Sequence, residues 1–236
     1  MHRLTFLLTA LAAAVITACG GAALLDGTAA SERSSDAPGY AQRAAAQLQL
    51  EALPTRGAPE ELWGRELPLP LPLPDFSLKT AEGTAFDYTR DADAPLTLVY
   101  FGYTSCPDVC PTHLAAISAA MDELTPSQRE LVDVLFVTVD PTVDTPARLR
   151  SYLASFDPQI IGLTGRQQQV NRALAGLGLP PTAVGADAQS PPEHPSAVIG
   201  FTPDDGGFVA WPFGTAPGIY AHDLSLLTNR NRQTPT

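Results

Sequence analysis

Apolar residues along this chain gather into a few dense runs, and the spacing inside each run predicts its form. PLTLVYFGY at 95–103 and VDVLFVTVD at 132–140 are almost unbroken and rich in β-branched and aromatic side chains, the pattern of strands buried on both faces. Between them the period changes to that of a helix: THLAAISAAMDEL places Leu114, Ile117, Met121 and Leu124 at helical spacing, and Pro111 suits the first turn. Beyond the second run, a turn at Pro141 leads to an expected helix from about Thr145-Pro146 through Phe156, and GRQQQVNRALAGLGL predicts another that ends in glycines. SAVIGF and FVAWPF flank the turn PDDGG and read as an antiparallel hairpin, with a last helix from about Pro217. Ahead of all these, DFSLKTAEGTAFDY reads as two short strands around Glu82-Gly83.

Strand, helix, strand, helix, hairpin, helix is the order of a thioredoxin-like α/β domain, in which helices flank a central mixed sheet. The order defines a fold class and leaves function to the site. Upstream the pattern fades. From Gly20 to about Pro74 aromatic residues are scarce and Ala, Ser, Gly and Pro abound, too little apolar surface to offset chain entropy, so this stretch reads as a tether. YAQRAAAQLQLEAL has the composition of one short helix, marginal by itself in water. LPLPLPLP at 67–74 fixes φ and removes amide donors at alternate positions, and reads as extended polyproline-like chain, a stiff spacer or a strap lying on the domain. A flexible tether of about fifty residues reaches roughly 40 Å.

The N-terminus carries an export signal. Arg3 precedes LTFLLTALAAAVI, an apolar core of signal-peptide length, and the small residues of ITACG lead into Cys19. Ile16-Thr17-Ala18-Cys19 resembles a bacterial lipoprotein lipobox, which implies cleavage before Cys19 and a lipid on its thiol. Asp26, Glu32 and Arg33 prevent the apolar core from extending to the roughly 20 residues of a spanning helix. The expected organisation is a signal peptide at 1–18, a lipidated tether at 19–73, a domain at 74–230 and a disordered tail at 231–236. Such a protein is extracytoplasmic and held at a membrane by its lipid, in the periplasm or on the outer face of the cytoplasmic membrane. Fourteen Lys and Arg against twenty-five Asp and Glu give a formal charge of −11, which opposes contact with nucleic-acid phosphates, so no nucleic acid is expected as a partner.

Setting aside the lipidated cysteine leaves Cys106 and Cys110, in FGYTSCPDVCPTHL, at the passage from strand to helix. Outside the cytoplasm such a pair tends toward oxidation unless a reductant or a metal intervenes. A separation of four across a helix start sets the sulfurs about one turn apart, near enough for a disulfide, a redox couple or a shared metal ion. Free amides at a helix N-terminus favour thiolate, which is both nucleophile and ligand. An inert staple closing so short a loop would gain only about 2 kcal/mol, and strand-to-helix turns are where α/β sheets carry ligand sites. Cys106 and Cys110 are therefore candidates both as a catalytic redox pair and as metal ligands. Three intervening residues, where thioredoxin-like redox motifs have two, weigh against a general oxidoreductase. Tyr103, three before Cys106, weighs against a peroxiredoxin-type peroxidase.

FGYTSCPDVCPTHL, VTVDPTVDTPARLRSYLASF and IGLTG together resemble the Sco/SenC family of copper-binding assembly proteins for cytochrome c oxidase, from about Pro74 to the C-terminus. The resemblance implies a thioredoxin-like fold and a site for Cu(I) or Cu(II) built by Cys106, Cys110 and His194, the last falling where the family has its histidine. Two soft thiolates and an imidazole suit Cu(I) and can hold Cu(II) as well; zinc is the chemical alternative. Pro195 stands where the family usually has Ser or Thr, so the aim of the imidazole depends on the His194–Pro195 bond. The resemblance further implies the copper-site subunit of cytochrome c oxidase as recipient, points to a copper-donor protein and a thiol reductant, and allows reduction of the recipient's cysteines as a second activity. His113 is the rival ligand, or else a solvated helix-surface residue. His222 beside Asp223 reads as a surface pair, and His2 leaves with the signal. Asp140, Asp144 and Pro146 of DPTVDTP read as turn and cap residues at the rim of the site, and Asp108 as an exposed turn acid.

Overall fold

The computed structural model describes residues 53–182, 192 and 194–233. The expected signal peptide, Cys19 with its expected lipidation, the expected tether up to 52 and residues 234–236 lie outside the described residues. In chain order the elements are β1 (Arg65–Leu71), β2 (Ser77–Thr80), β3 (Ala85–Asp87), α1 (Tyr88–Asp91), β4 (Leu96–Gly102), α2 (Val109–Glu123) and α3 (Pro126–Arg129). There follow β5 (Val132–Thr138), α4 (Pro146–Leu153), β6 (Ile161–Thr164), α5 (Gln167–Gly176), β7 (Val198–Thr202), β8 (Gly206–Trp211) and α6 (Pro217–Gln233). The strands form one eight-stranded sheet in the order β1-β8-β7-β4-β5-β6-β2-β3.

The two unbroken apolar runs form the centre of that sheet. β4 is buried at every position, as a strand covered on both faces must be, and β5 pairs parallel to it with Leu98 opposite Val134 and Phe101 opposite Val137. The helical spacing of the run between them is realised in α2, whose buried face carries Leu114, Ile117 and Met121 and packs against α6. β7 joins the other side of β4 antiparallel and β8 follows it as the hairpin partner. β8, β7, β4 and β5 with the helices that flank them make the thioredoxin-like α/β core.

β6 is an addition to the expected elements. IGLT is four residues long and too short to show a period, yet it pairs parallel with β5 and antiparallel with β2, which brings the β2–β3 hairpin onto the sheet. α6 also runs on to Gln233, so residues 231–233 are helix rather than tail.

The larger correction concerns the boundary at 74. Arg65–Leu71 is an edge strand antiparallel to β8, so the folded unit begins well before Pro74. An edge strand pairs on one side only and tolerates proline. The ladder here steps from Glu66 directly to Leu71, skipping the stretch that holds Pro68 and Pro70, while Leu67 and Leu71 are buried. Gly206 makes the close approach: its φ is +67°, and a Cβ there would lie 2.4 Å from the Leu71 carbonyl oxygen. Gly206→Ala is expected to cost about 1–3 kcal/mol, read as a lower urea midpoint.

The chain ahead of β1 is tied down by a carboxylate. Asp223, on α6 and fully buried, accepts from the amides of Trp63 (2.8 Å) and Gly64 (2.6 Å) and from the Trp211 indole (2.9 Å). His222 is thereby not the surface residue expected. Its ring stacks on Trp63 at 3.6 Å and contacts Asp223 and the Pro59 carbonyl.

Candidate metal centre

β4 ends at Gly102, held in register by its pairing with Thr138 of β5. No side chain fits at that end, because a Cβ on Gly102 would meet both the Cys110 sulfur and the Phe136 ring at 2.8 Å. From there the chain turns through Tyr103 to Asp108 into α2. The Cys106 amide donates to the Tyr103 carbonyl (3.2 Å), and the Cys110 amide donates to the Cys106 sulfur (3.4 Å). Both cysteines are free thiols; Cys106 is 8% exposed and Cys110 fully buried.

That difference in depth separates their acidities. Burial works to raise the Cys106 thiol, but the backbone of Cys110 and Asp108, helped by Cys110 and Tyr103 side chains, holds it below the ordinary thiol value. Burial pushes Cys110 up to about 12, against the opposing Tyr100 hydroxyl and Tyr103 backbone. Thiolate is the reactive form, so with rising pH iodoacetamide is expected to modify Cys106 first, below the pH at which an ordinary thiol ionises, and to leave Cys110 untouched until near pH 12. Mass spectrometry of timed alkylations reads this directly; equal rates at the two sites would contradict it.

His194 arrives from the segment before β7. Its Nδ1 lies 2.9 Å from the Pro195 carbonyl, an acceptor, so Nδ1 carries the proton and the Nε2 lone pair is free. Nε2 faces the Cys110 sulfur at 3.9 Å. The His194–Pro195 bond is trans. Burial lowers the imidazole pKa, opposed by the backbone of Pro195 and Phe101, which favours the neutral, ligating ring. The ligand atoms of Cys106, Cys110 and His194 all lie within 4.8 Å of one another. Bonds of roughly 2.0–2.3 Å to a common ion place donors up to about twice that distance apart, so a small inward shift would complete a three-donor site. Two sulfurs and one nitrogen are a soft donor set. Tyr103 packs edge-on against the His194 ring at 5.4 Å, and Tyr100 stands behind it at 6.3 Å. Burial keeps the Tyr100 hydroxyl protonated beside Cys110, without a hydrogen bond of ordinary geometry.

The other residues singled out above fall into place around these three. His113, the rival ligand, is buried and turned away, with Nε2 2.8 Å from the Ser196 carbonyl and Nδ1 2.9 Å from the Tyr220 hydroxyl. Asp108 is exposed and makes no cap bond, as an ordinary turn acid would. Asp140 shapes its turn by accepting from the Thr142 hydroxyl (2.7 Å), and Pro146 opens α4, whose cap is Thr145. Asp144 is not a cap. It is fully buried and accepts from the Thr104 amide (2.9 Å), the Thr104 hydroxyl and the Thr138 hydroxyl (2.6 Å), which anchors the start of the cysteine loop to the end of β5. Gly102 and Tyr100 also went unremarked as site residues; a glycine closing a buried strand one turn ahead of the cysteines was the available signal.

Fold and site together define a thioredoxin-like protein with two thiols and an imidazole gathered at a strand-to-helix turn. The SCO1/SenC family model matches residues 71–226, and the chain belongs to that family. An SCO2-like protein of Rickettsia felis is 42% identical over 96 residues, which cover 41% of this chain and 46% of that one. Mitochondrial SCO1 of Saccharomyces cerevisiae is 39% identical over 98 residues, 42% of this chain and 33% of the relative, so the match spans less than half the length of either. Among solved structures, Bradyrhizobium japonicum ScoI with copper bound is 30% identical and covers 65% of this chain and 98% of its own, with a TM-score of 0.55. Among the described residues, no helix is long and apolar enough to cross a membrane.

Proposed function

We propose that this chain is an extracytoplasmic copper carrier, anchored by a lipid on Cys19, that holds copper through Cys106, Cys110 and His194 and delivers it to the dinuclear copper centre of cytochrome c oxidase. One observation carries the reading: three soft donors from two distant parts of the chain lie within 4.8 Å, and the imidazole already presents a bare Nε2 to them. Kinship to the SCO1/SenC family, and to a ScoI whose structure is described with copper bound, supports copper over zinc. The half-buried His194 and the edge of Cys106, which is 8% exposed, offer the side from which an incoming ligand can exchange, while the fully buried Cys110 stays fixed.

Copper titration of the reduced protein, with His194→Ala beside it, tests the proposal. One copper per chain is expected, with a thiolate-to-Cu(II) charge-transfer band, and His194→Ala should weaken binding by at least about a hundredfold, beyond what losing an outer-shell partner costs. An unchanged affinity and band in His194→Ala would remove that residue from the ligand set.

The unequal thiols favour a second reading, reduction of a recipient's disulfide. The less deeply buried, more acidic Cys106 would attack one sulfur of the target disulfide as thiolate, releasing the other as thiolate. Cys110 would then attack Cys106 in the mixed disulfide, leaving a Cys106–Cys110 disulfide here and a reduced dithiol on the target. Rapid exchange with a disulfide peptide and no stoichiometric copper would favour this reading over the first.

A further inference from the structure

We propose that His113 is a positioning residue of the metal centre, which fixes the segment bearing His194 to the helix bearing the cysteines. The inference rests on the copper-site reading and concerns a residue outside the ligand set. His113 lies one turn beyond Cys110 on α2, 2% exposed, and its ring is packed against Tyr100 at 5.0 Å and Phe213 at 6.0 Å. Both nitrogens are spoken for in one consistent tautomer. A carbonyl only accepts, so Nε2–H donates to Ser196 O (2.8 Å); Nδ1 is then the acceptor, and the Tyr220 hydroxyl of α6 donates to it (2.9 Å).

Ser196 is two residues from His194, and the residue between them is Pro195, whose ring restricts φ and whose carbonyl accepts from the His194 ring itself. The stretch His194-Pro195-Ser196 is therefore held at two successive carbonyls, one by its own imidazole and one by His113. The second is the hydrogen bond that refers the segment to α2, the element that also places Cys110. Losing it leaves the buried Tyr220 hydroxyl without its partner and hands the Ser196 carbonyl, on an exposed residue, to solvent, and it frees the segment to swing, carrying Nε2 away from the sulfurs. A site held to fractions of an ångström is sensitive to such a support.

The test uses the full chain with His113→Leu, His113→Gln, Tyr220→Phe, His194→Ala and the double variant His113→Leu/His194→Ala. Cu(I) affinity is measured by competition with a chromophoric chelator, nitrogen coupling by electron paramagnetic resonance of the Cu(II) adduct, and folding by circular dichroism. His113→Leu is expected to weaken Cu(I) binding about 10–100-fold and to diminish the nitrogen coupling, while His113→Gln, which keeps a donor near Nε2, recovers most of both. In the His194→Ala background His113→Leu should change affinity by less than about twofold, because it acts through the missing imidazole. Equal weakening in both backgrounds, or unaltered affinity and coupling in His113→Leu, would overturn the inference. Should His113→Leu fail to fold, Tyr220→Phe decides in the same way: weaker binding only when His194 is present upholds the inference, and no change sinks it. An unaffected His194→Ala would instead strike at the copper-site reading itself.

Discussion

Cys110→Ser should abolish stoichiometric copper binding while leaving the domain folded. The sulfur is fully buried against Gly102 and Phe136, so no solvent ligand can stand in for it from behind, and a hydroxyl is a poor donor to a soft ion. Affinity should fall by more than about a hundredfold, past the range seen when only an outer-shell partner is lost. The hydroxyl also enters a dry pocket, at a cost of about 1–3 kcal/mol, so a modest drop in melting temperature is expected alongside. Cys106→Ser should lose copper as completely but with less effect on stability, since Cys106 is less deeply buried than Cys110. Retention of one tightly bound copper by Cys110→Ser, measured by competition and by metal analysis after desalting, would remove Cys110 from the centre.

The largest effect on stability is expected from Asp144→Ala. The carboxylate is the shared acceptor for the Thr104 amide, the Thr104 hydroxyl and the Thr138 hydroxyl, and Thr138 is itself fully buried. Removing the acceptor strands these donors, at about 1–3 kcal/mol for each that stays dry, so a total of about 3–5 kcal/mol is expected. Arg148 contributes little to this sum: its guanidinium stands 3.8 Å from the carboxylate with half its side chain in solvent. The urea midpoint reads the loss. Because Asp144 anchors the loop that leads to Cys106, the same variant should also alkylate Cys110 sooner than the parent protein does. Asp144→Asn, which keeps an acceptor oxygen, should fall between the two. A parent-like midpoint in Asp144→Ala would show that Thr104 and Thr138 find other partners.

Much of this was legible in the chain because the responsible signals are local. Leu114, Ile117 and Met121 recur at helical spacing and do form the buried face of α2, and the unbroken run at 96–102 is the strand buried on both sides. IGLT failed as a strand signal because four residues show no period; its pairing with β2 and β5 comes from tertiary contact. Leu-Pro alternation gave the extended strap on the domain but left its pairing at the sheet edge open, for a related reason. Extended polyproline and an edge strand occupy neighbouring backbone conformations, and what separates them here is the ladder with β8, a partner far along the chain, with Asp223 holding Trp63 and Gly64 just ahead of it. His113 and Asp144 show the same limit at the site. Their residue types stand out beside the cysteines in the chain, but whether an imidazole faces a metal or a carbonyl, and whether a carboxylate caps a helix or anchors a loop, is decided by Ser196, Tyr220, Thr104 and Thr138.

The missing side chain at Gly102 has a directional consequence. With the Cys110 sulfur and the Phe136 ring each 2.8 Å from where a Cβ would stand, the sheet walls off the rear of the three donors. Among the described residues, whatever ion they hold is open to a new neighbour at the front, beside His194 and the edge of Cys106. Arrival and departure then share that front, and two docking proteins that both reach it would have to do so in turn.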